Sequence, residues 1–289
     1  MSPAPLSPRQ YSVRCLTPAG LHRMAYVEWG DPDNPRVLIC AHGLTRSGRD
    51  FDFLAQALTG EYRVVCPDVA GRGASGWLKN PMLYVVPTYA ADMVTLIARL
   101  GAEEVHWVGT SMGGLIGMGV AALSDTPITR LVLNDVGPVL TFASLARIGT
   151  YVGKDPVFPS IEAAELFVRF TSAPFGPHSD AEWRFLTNNV VRRQPDGSWR
   201  MHYDPAIAVP FTAGLNGQDL DLWAMYDAVR CPTLVLRDQE SDLLTPATAA
   251  AMEQRGPRAR CVEFPGVGHA PTLIHEDQIA VVRDFLLGS

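Results

Sequence analysis

Apolar positions along this chain fall into short unbroken runs separated by stretches with helical spacing. Arg36-Val-Leu-Ile-Cys-Ala41, Tyr62-Arg-Val-Val-Cys66, Val105–Val108, Ile128–Asn134, Cys231-Pro-Thr-Leu-Val-Leu236 and Arg260–Phe264 read as strands, several apolar enough to be buried on both faces. Between and after them, Asp50–Leu58, Pro87–Leu100, Pro246–Gln254 and Gln278–Leu287 repeat as amphipathic helices, two of them opening on proline. A further helix is expected near Leu220–Val229. Ahead of these, Arg14–Gly30 predicts an antiparallel pair turning at Thr17-Pro-Ala-Gly20, and Asp31–Pro35 a loop.

Strands alternating with helices at this spacing imply βαβ units, hence a mostly parallel sheet with helices on both faces. The alternation stops at Gly137 and resumes near Leu220. The stretch between holds helical pieces, aromatics and prolines, with no run resembling a buried parallel strand. The expected organisation is therefore an α/β core from residues 1–136 and 218–289, with a helical insertion at 137–217 lying over the strand ends. Open α/β sheets place their sites there.

The run Val105–Val108 leads into Gly109-Thr-Ser-Met-Gly113 and then a helix-like stretch rich in small residues. Strand, Gly-x-Ser-x-Gly and helix together describe a tight turn that lifts the Ser111 hydroxyl above a sheet edge. A serine hydroxyl is a poor nucleophile until a neighbouring base takes its proton. Of the seven histidines, His269 lies in a glycine-flanked loop after the last predicted strand, at the same edge as Ser111. A carboxylate must then orient that base. Asp242, in the loop after Cys231–Leu236, is the first choice. Asp135, after Ile128–Asn134, is the alternative, with Asp238 and Glu240 behind it. The developing oxyanion needs backbone donors, expected from the amides of Met112 and Leu44. His42 is expected to fix its loop by a hydrogen bond.

Together His42-Gly43, Asp68 with Gly71-Arg-Gly-Ala-Ser75, Gly109-Thr-Ser-Met-Gly-Gly114, Asp242 and Gly268-His269 resemble the α/β-hydrolase superfamily. More narrowly, they resemble its capped branch of esterases, lactonases, perhydrolases, C–C bond hydrolases and epoxide hydrolases. The resemblance implies a nucleophile–acid–histidine order of Ser111, Asp242 and His269, and no cofactor. Epoxide hydrolases and haloalkane dehalogenases of the branch use an aspartate where this chain has Ser111, which disfavours those activities. The reading is a serine hydrolase of a small, largely hydrophobic ester or lactone. Its alternatives are a C–C bond hydrolase with Arg46 on a substrate carboxylate, and a slow or non-catalytic ligand receptor. Arg46, Phe142 and Tyr151 are the candidate substrate contacts, within a set of insertion aromatics that also includes Phe158, Phe167, Phe170, Trp183, Phe185 and Phe211.

Composition narrows the partners. A net charge of −6 with no basic run argues against nucleic acid and anionic membranes. No apolar run reaches membrane-spanning length, and the proline-rich opening lacks the apolar core of a signal peptide. The five cysteines carry no C-x-x-C spacing and read as reduced core thiols of a cytoplasmic protein. A small-molecule substrate is expected, and the reading allows a homodimer. No zinc-spaced cluster is present, so no metal is expected. Gly71-Arg-Gly-Ala-Ser-Gly76 matches a dinucleotide fingerprint, but Asn80-Pro81 breaks the helix that would have to follow.

Overall fold

A computed structural model describes residues 7–288. The first six residues of the proline-rich opening lie outside the described residues. The core begins with strands β1 (Arg9–Thr17), β2 (Gly20–Trp29), β3 (Val37–Ala41) and β4 (Arg63–Pro67), and helix α1 (Asp52–Leu58). Helix α2 (Val86–Leu100), strand β5 (Val105–Thr110), helix α3 (Met112–Ala121) and strand β6 (Ile128–Asn134) follow. The segment between β6 and the next core helix holds β7 (Val139–Leu140), α4 (Phe142–Gly149), β8 (Val157–Phe158), α5 (Ile161–Thr171), α6 (Asp180–Asn188), β9 (Val191–Arg193), β10 (Trp199–Met201), α7 (Ala208–Ala213) and β11 (Leu220–Asp221). Helix α8 (Trp223–Ala228), β12 (Thr233–Asp238), α9 (Pro246–Met252), β13 (Arg260–Phe264) and α10 (Glu276–Leu287) complete the core.

Eight strands form one sheet in the order β1-β2-β4-β3-β5-β6-β12-β13. The hairpin β1–β2 and its join to β4 are antiparallel, and every later pairing is parallel. The side-chain period of two explains why the central strands are apolar throughout. In β3, Val37, Ile39 and Ala41 enter one core, with Leu96 of α2, Ile116 of α3, Tyr226 of α8 and Met252 of α9. Leu38 and Cys40 point the other way, to Leu54 of α1 and Val282 of α10. Helices thus cover both faces, as expected.

The insertion departs from the sequence expectation in one respect. It contains short antiparallel strands as well as helices: β8-β10-β9 form a three-stranded sheet, and β7 pairs with β11. Leu220–Asp221 therefore belongs to a strand, and the helix expected from Leu220 starts at Trp223. The β7–β11 pair brings the chain leaving β6 alongside the chain returning to the core, just past the end expected for the insertion. Higher up, Gly73 N–H donates to His202 O (3.0 Å) and Asp204 N–H to Gly71 O (2.7 Å), tying the insertion to the loop after β4.

Candidate active site

Ser111 sits between β5 and α3 with φ 51° and ψ −115°, a conformation L-residues avoid and one often found where a site holds strain. The turn closes because its flanking residues have no side chains. A Cβ on Gly113 would collide with Ala41 O of β3, and one on Gly109 with Gly113 O. The Ser111 amide donates to Asn134 O (2.9 Å), anchoring the turn to β6.

The loop after β13 brings His269 to this turn. Its Nε2 lies 2.9 Å from Ser111 Oγ, and its Nδ1 2.7 Å from Asp135 Oδ2. Asp135 is fully buried and also has a positive φ, 53°. Its own amide donates to Leu236 O (2.8 Å), and its Oδ1 accepts from the Asp238 amide (3.2 Å). Two neighbouring strands thus fix the carboxylate, and the carboxylate fixes the ring.

Asp242, the sequence's first choice for that partner, does not hold His269. Strand β12 runs on to Asp238, beyond the Leu236 at which the sequence pattern ends it. The following turn carries Asp242 out to Arg147 of α4, which it meets at 2.5 and 2.9 Å with both side chains about half exposed. Glu240 is exposed. Asp238 is fully buried, with neither carboxylate oxygen hydrogen-bonded among the described residues. Burial, with Asp135 nearby, pushes its carboxyl up to about 9, so it holds its proton at neutral pH.

On the far side of Ser111, the Gly43 backbone passes close: a Cβ there would lie 3.8 Å from Ser111 Cβ. The Val69 amide donates to His42 Nε2 (2.9 Å), so the ring proton resides on Nδ1 and is donated to Gly43 O (2.7 Å). Burial pushes His42 down to about 3, so the ring stays uncharged near neutral pH. His42 is therefore a neutral brace. The Gly43–Leu44 peptide that it holds carries the Leu44 amide. Met112 opens α3, so its amide belongs to the helix N-terminus, where no intrahelical acceptor is available. Neither amide donates to a protein acceptor among the described residues.

These groups open onto a cavity of about 1070 Å³ between sheet and insertion. Tyr151, Phe167, Phe175 and Phe211 line it, whereas Phe142 does not. Phe142 starts α4, with its amide on Asp219. Phe158 packs into a small core of the insertion, Trp183 into a cluster shared with Ile274 of the loop after β13, and Phe170 faces solvent. Arg46 lines the cavity but is already engaged, bidentate to Asp50 at 2.7 and 2.7 Å and 5.6 Å from the Phe175 ring centroid. It offers less to a substrate carboxylate than a free guanidinium would. The sequence pattern overlooked Phe175, Tyr84, Tyr89 and Tyr203, which also line the cavity.

The amides of the glycine-rich loop after β4 are taken up by protein acceptors. Asp68 accepts from the amides of Gly48 and Ala74, both at 2.8 Å, and a Cβ at Gly73 would strike that carboxylate. Among the described residues one cluster of potential metal ligands, Cys15, His22 and Asp92, groups within 4.8 Å. It lies on β1, β2 and α2, outside the cavity lining, and His22 Nε2 is within 2.8 Å of Asp92. No helix among the described residues is long and apolar enough to cross a membrane.

Comparison with known proteins agrees with this architecture. Residues 38–284 match the alpha/beta hydrolase family. The chain is 52% identical over 290 aligned residues to a 3-hydroxybutyrate-oligomer hydrolase of Cupriavidus necator, covering 98% of this chain and 99% of that one. A putative hydrolase from Rickettsia typhi superposes with a TM-score of 0.91 at 31% identity, covering 97% of this chain and 99% of the other. An alpha/beta hydrolase from Novosphingobium aromaticivorans gives 0.85 at 37% identity, with 98% of each chain covered. With its profile, sheet order and Ser-bearing turn in agreement, this chain belongs to the alpha/beta hydrolase family, and it is a hydrolase.

Proposed function

We propose that this protein is a serine carboxylic-ester hydrolase whose catalytic set is Ser111, His269 and Asp135. The observation that carries the reading is the continuous hydrogen-bonded line from the Ser111 hydroxyl through His269 to a buried Asp135. Asp135 holds the proton on Nδ1, leaving Nε2 free to accept the Ser111 proton as Oγ attacks the ester carbonyl. The amides of Leu44 and Met112 receive the oxyanion. His269 then protonates the departing alkoxide. It next takes a proton from the water that attacks the acyl-enzyme, and returns it to Ser111 Oγ as the Oγ–acyl bond breaks and the acid leaves.

The substrate class we infer is a short ester-linked oligomer of a hydroxy acid, of the kind named for the Cupriavidus relative. The roomy, largely apolar cavity suits a chain of several ester units better than one small ester. Residues 137–217 act in this reading as a cap over that chain, and the protein works on a small molecule without a cofactor. The test is incubation with 3-hydroxybutyrate dimer and trimer beside p-nitrophenyl butyrate, with products resolved by chromatography. Release of monomer, lost in Ser111→Ala, is the expected result. Turnover of the simple ester alone would remove the oligomer assignment, and turnover by Ser111→Ala would remove the mechanism.

A further inference from the structure

Arg72 is fully buried and meets no carboxylate at ion-pair distance among the described residues. A buried cation usually requires one. Its donors go elsewhere: Nε to Leu44 O (2.8 Å), Nη1 to Ala70 O (2.7 Å) and Tyr89 Oη (2.8 Å), and Nη2 to Met112 Sδ (3.7 Å). The rings of Tyr89 and Tyr84 flank it, with centroids 5.1 and 5.7 Å from Cζ. The carboxylate of Asp204 is taken up by Tyr84, whose Oη donates to it at 2.6 Å. One guanidinium therefore grips both residues proposed as oxyanion donors, the carbonyl of Leu44 and the side chain of Met112.

We propose that Arg72 is the positioning residue of the oxyanion site, an assignment that rests on the serine-hydrolase reading above. The Leu44 N–H lies in the Gly43–Leu44 peptide, and the Leu44 carbonyl in the peptide that follows it. The Gly43 carbonyl is held by His42 and by the Arg46 amide (3.2 Å). The Leu44 carbonyl is held by Arg72 alone among the described residues. Removing Arg72 frees the Leu44–Thr45 peptide, loosens the Leu44 backbone next to the amide and releases the hold on Met112. Its charge also sits in a low-dielectric interior, where a cation near a developing oxyanion counts for more than in water. That charge reaches the neighbouring brace, since after burial itself Arg72 and Arg46 are what disfavour a proton on His42. The backbone of the residue is fixed from outside as well, because Arg72 forms an antiparallel bridge with Tyr203 of the insertion.

The test compares wild type, Arg72→Gln, Arg72→Lys and Ser111→Ala in the full-length protein. It measures kcat and KM on a p-nitrophenyl ester, the inhibition constant of an alkyl boronic acid that mimics the tetrahedral state, and Tm. Arg72→Gln is expected to lower kcat about 10²–10³-fold, the loss typical of one missing oxyanion donor. KM should stay within about threefold, and boronate binding should weaken in proportion to kcat/KM. Arg72→Lys keeps the charge without the fork and is expected to recover about tenfold over Gln. A kcat within about threefold of wild type, a loss confined to KM, or unchanged boronate binding would overturn the assignment. If Arg72→Gln does not fold, Tyr89→Phe serves. It slackens the guanidinium and is expected to cost about three- to tenfold in kcat, with boronate binding weakened alike; unchanged binding again overturns the proposal. Activity surviving in Ser111→Ala would instead strike the underlying reading.

Discussion

Replacing Asp135 by Asn separates the two carboxylates between which the sequence pattern left a choice. Asp135 is fully buried and 2.7 Å from His269 Nδ1. Asn keeps the volume but presents either an NH₂ group, which favours the wrong imidazole tautomer, or a neutral oxygen, which stabilises the imidazolium poorly. The same change in a Ser-His-Asp site lowers kcat about 10⁴-fold, or about 5.5 kcal/mol of barrier. Asp242→Asn removes a half-exposed ion pair to Arg147, worth about 0–1 kcal/mol, so its kcat should stay within about fivefold of wild type. Initial rates on p-nitrophenyl butyrate at pH 8, with circular dichroism to check the fold, measure both. An Asp135→Asn enzyme with more than about a tenth of wild-type kcat would refute the reasoning. So would an Asp242→Asn enzyme that is inactive but folded.

Other outcomes follow from the same structure. His42 is held neutral in the fold while an exposed histidine would charge, so the unfolded chain binds the extra proton and stability must fall as pH drops below about 6.5. With the folded value near 3, about 2 kcal/mol should be lost by pH 5. Urea midpoints at pH 7 and 5 should show that loss shrinking in His42→Gln. Asp238 has the opposite sense: its folded value is raised, to about 9, so its protonation supports the fold at low pH and stability declines as pH rises toward that value. Asp238→Asn should therefore gain on wild type by on the order of 1 kcal/mol per pH unit between pH 5 and 8 in the same assay, with esterase activity retained. Gly113→Ala should lower stability by more than about 3 kcal/mol or abolish soluble expression, since its Cβ would meet the β3 backbone; a Tm within a few degrees of wild type would contradict this.

Much of this arrangement was legible in the residues themselves. The buried strands declare themselves by being apolar at every position, because helices cover both faces of their sheet. The Ser111 turn declares itself through glycines at the two positions where a side chain would meet backbone. The carboxylate that meets His269 was less legible for a physical reason: β6 and β12 are neighbours that end at the same edge, with aspartates at or after each end. The choice depended on β12 running two residues past its apolar run and on Arg147 drawing Asp242 outward. Arg147 is distant in sequence from both features. The strands of the insertion are two or three residues long, too short for a period to register. Arg72 lay hidden within a motif that suggests glycine-loop chemistry, because a buried guanidinium bonded to carbonyl oxygens leaves no spacing signature.

The most direct test of the central claim is covalent labelling with a fluorophosphonate, read by intact-protein mass spectrometry and peptide mapping. One adduct per chain is expected, on Ser111, formed more slowly in Asp135→Asn and absent from a folded Ser111→Ala protein that has lost ester turnover. An adduct on another residue, or full ester turnover by an enzyme that Ser111→Ala leaves active and unlabelled, would contradict it.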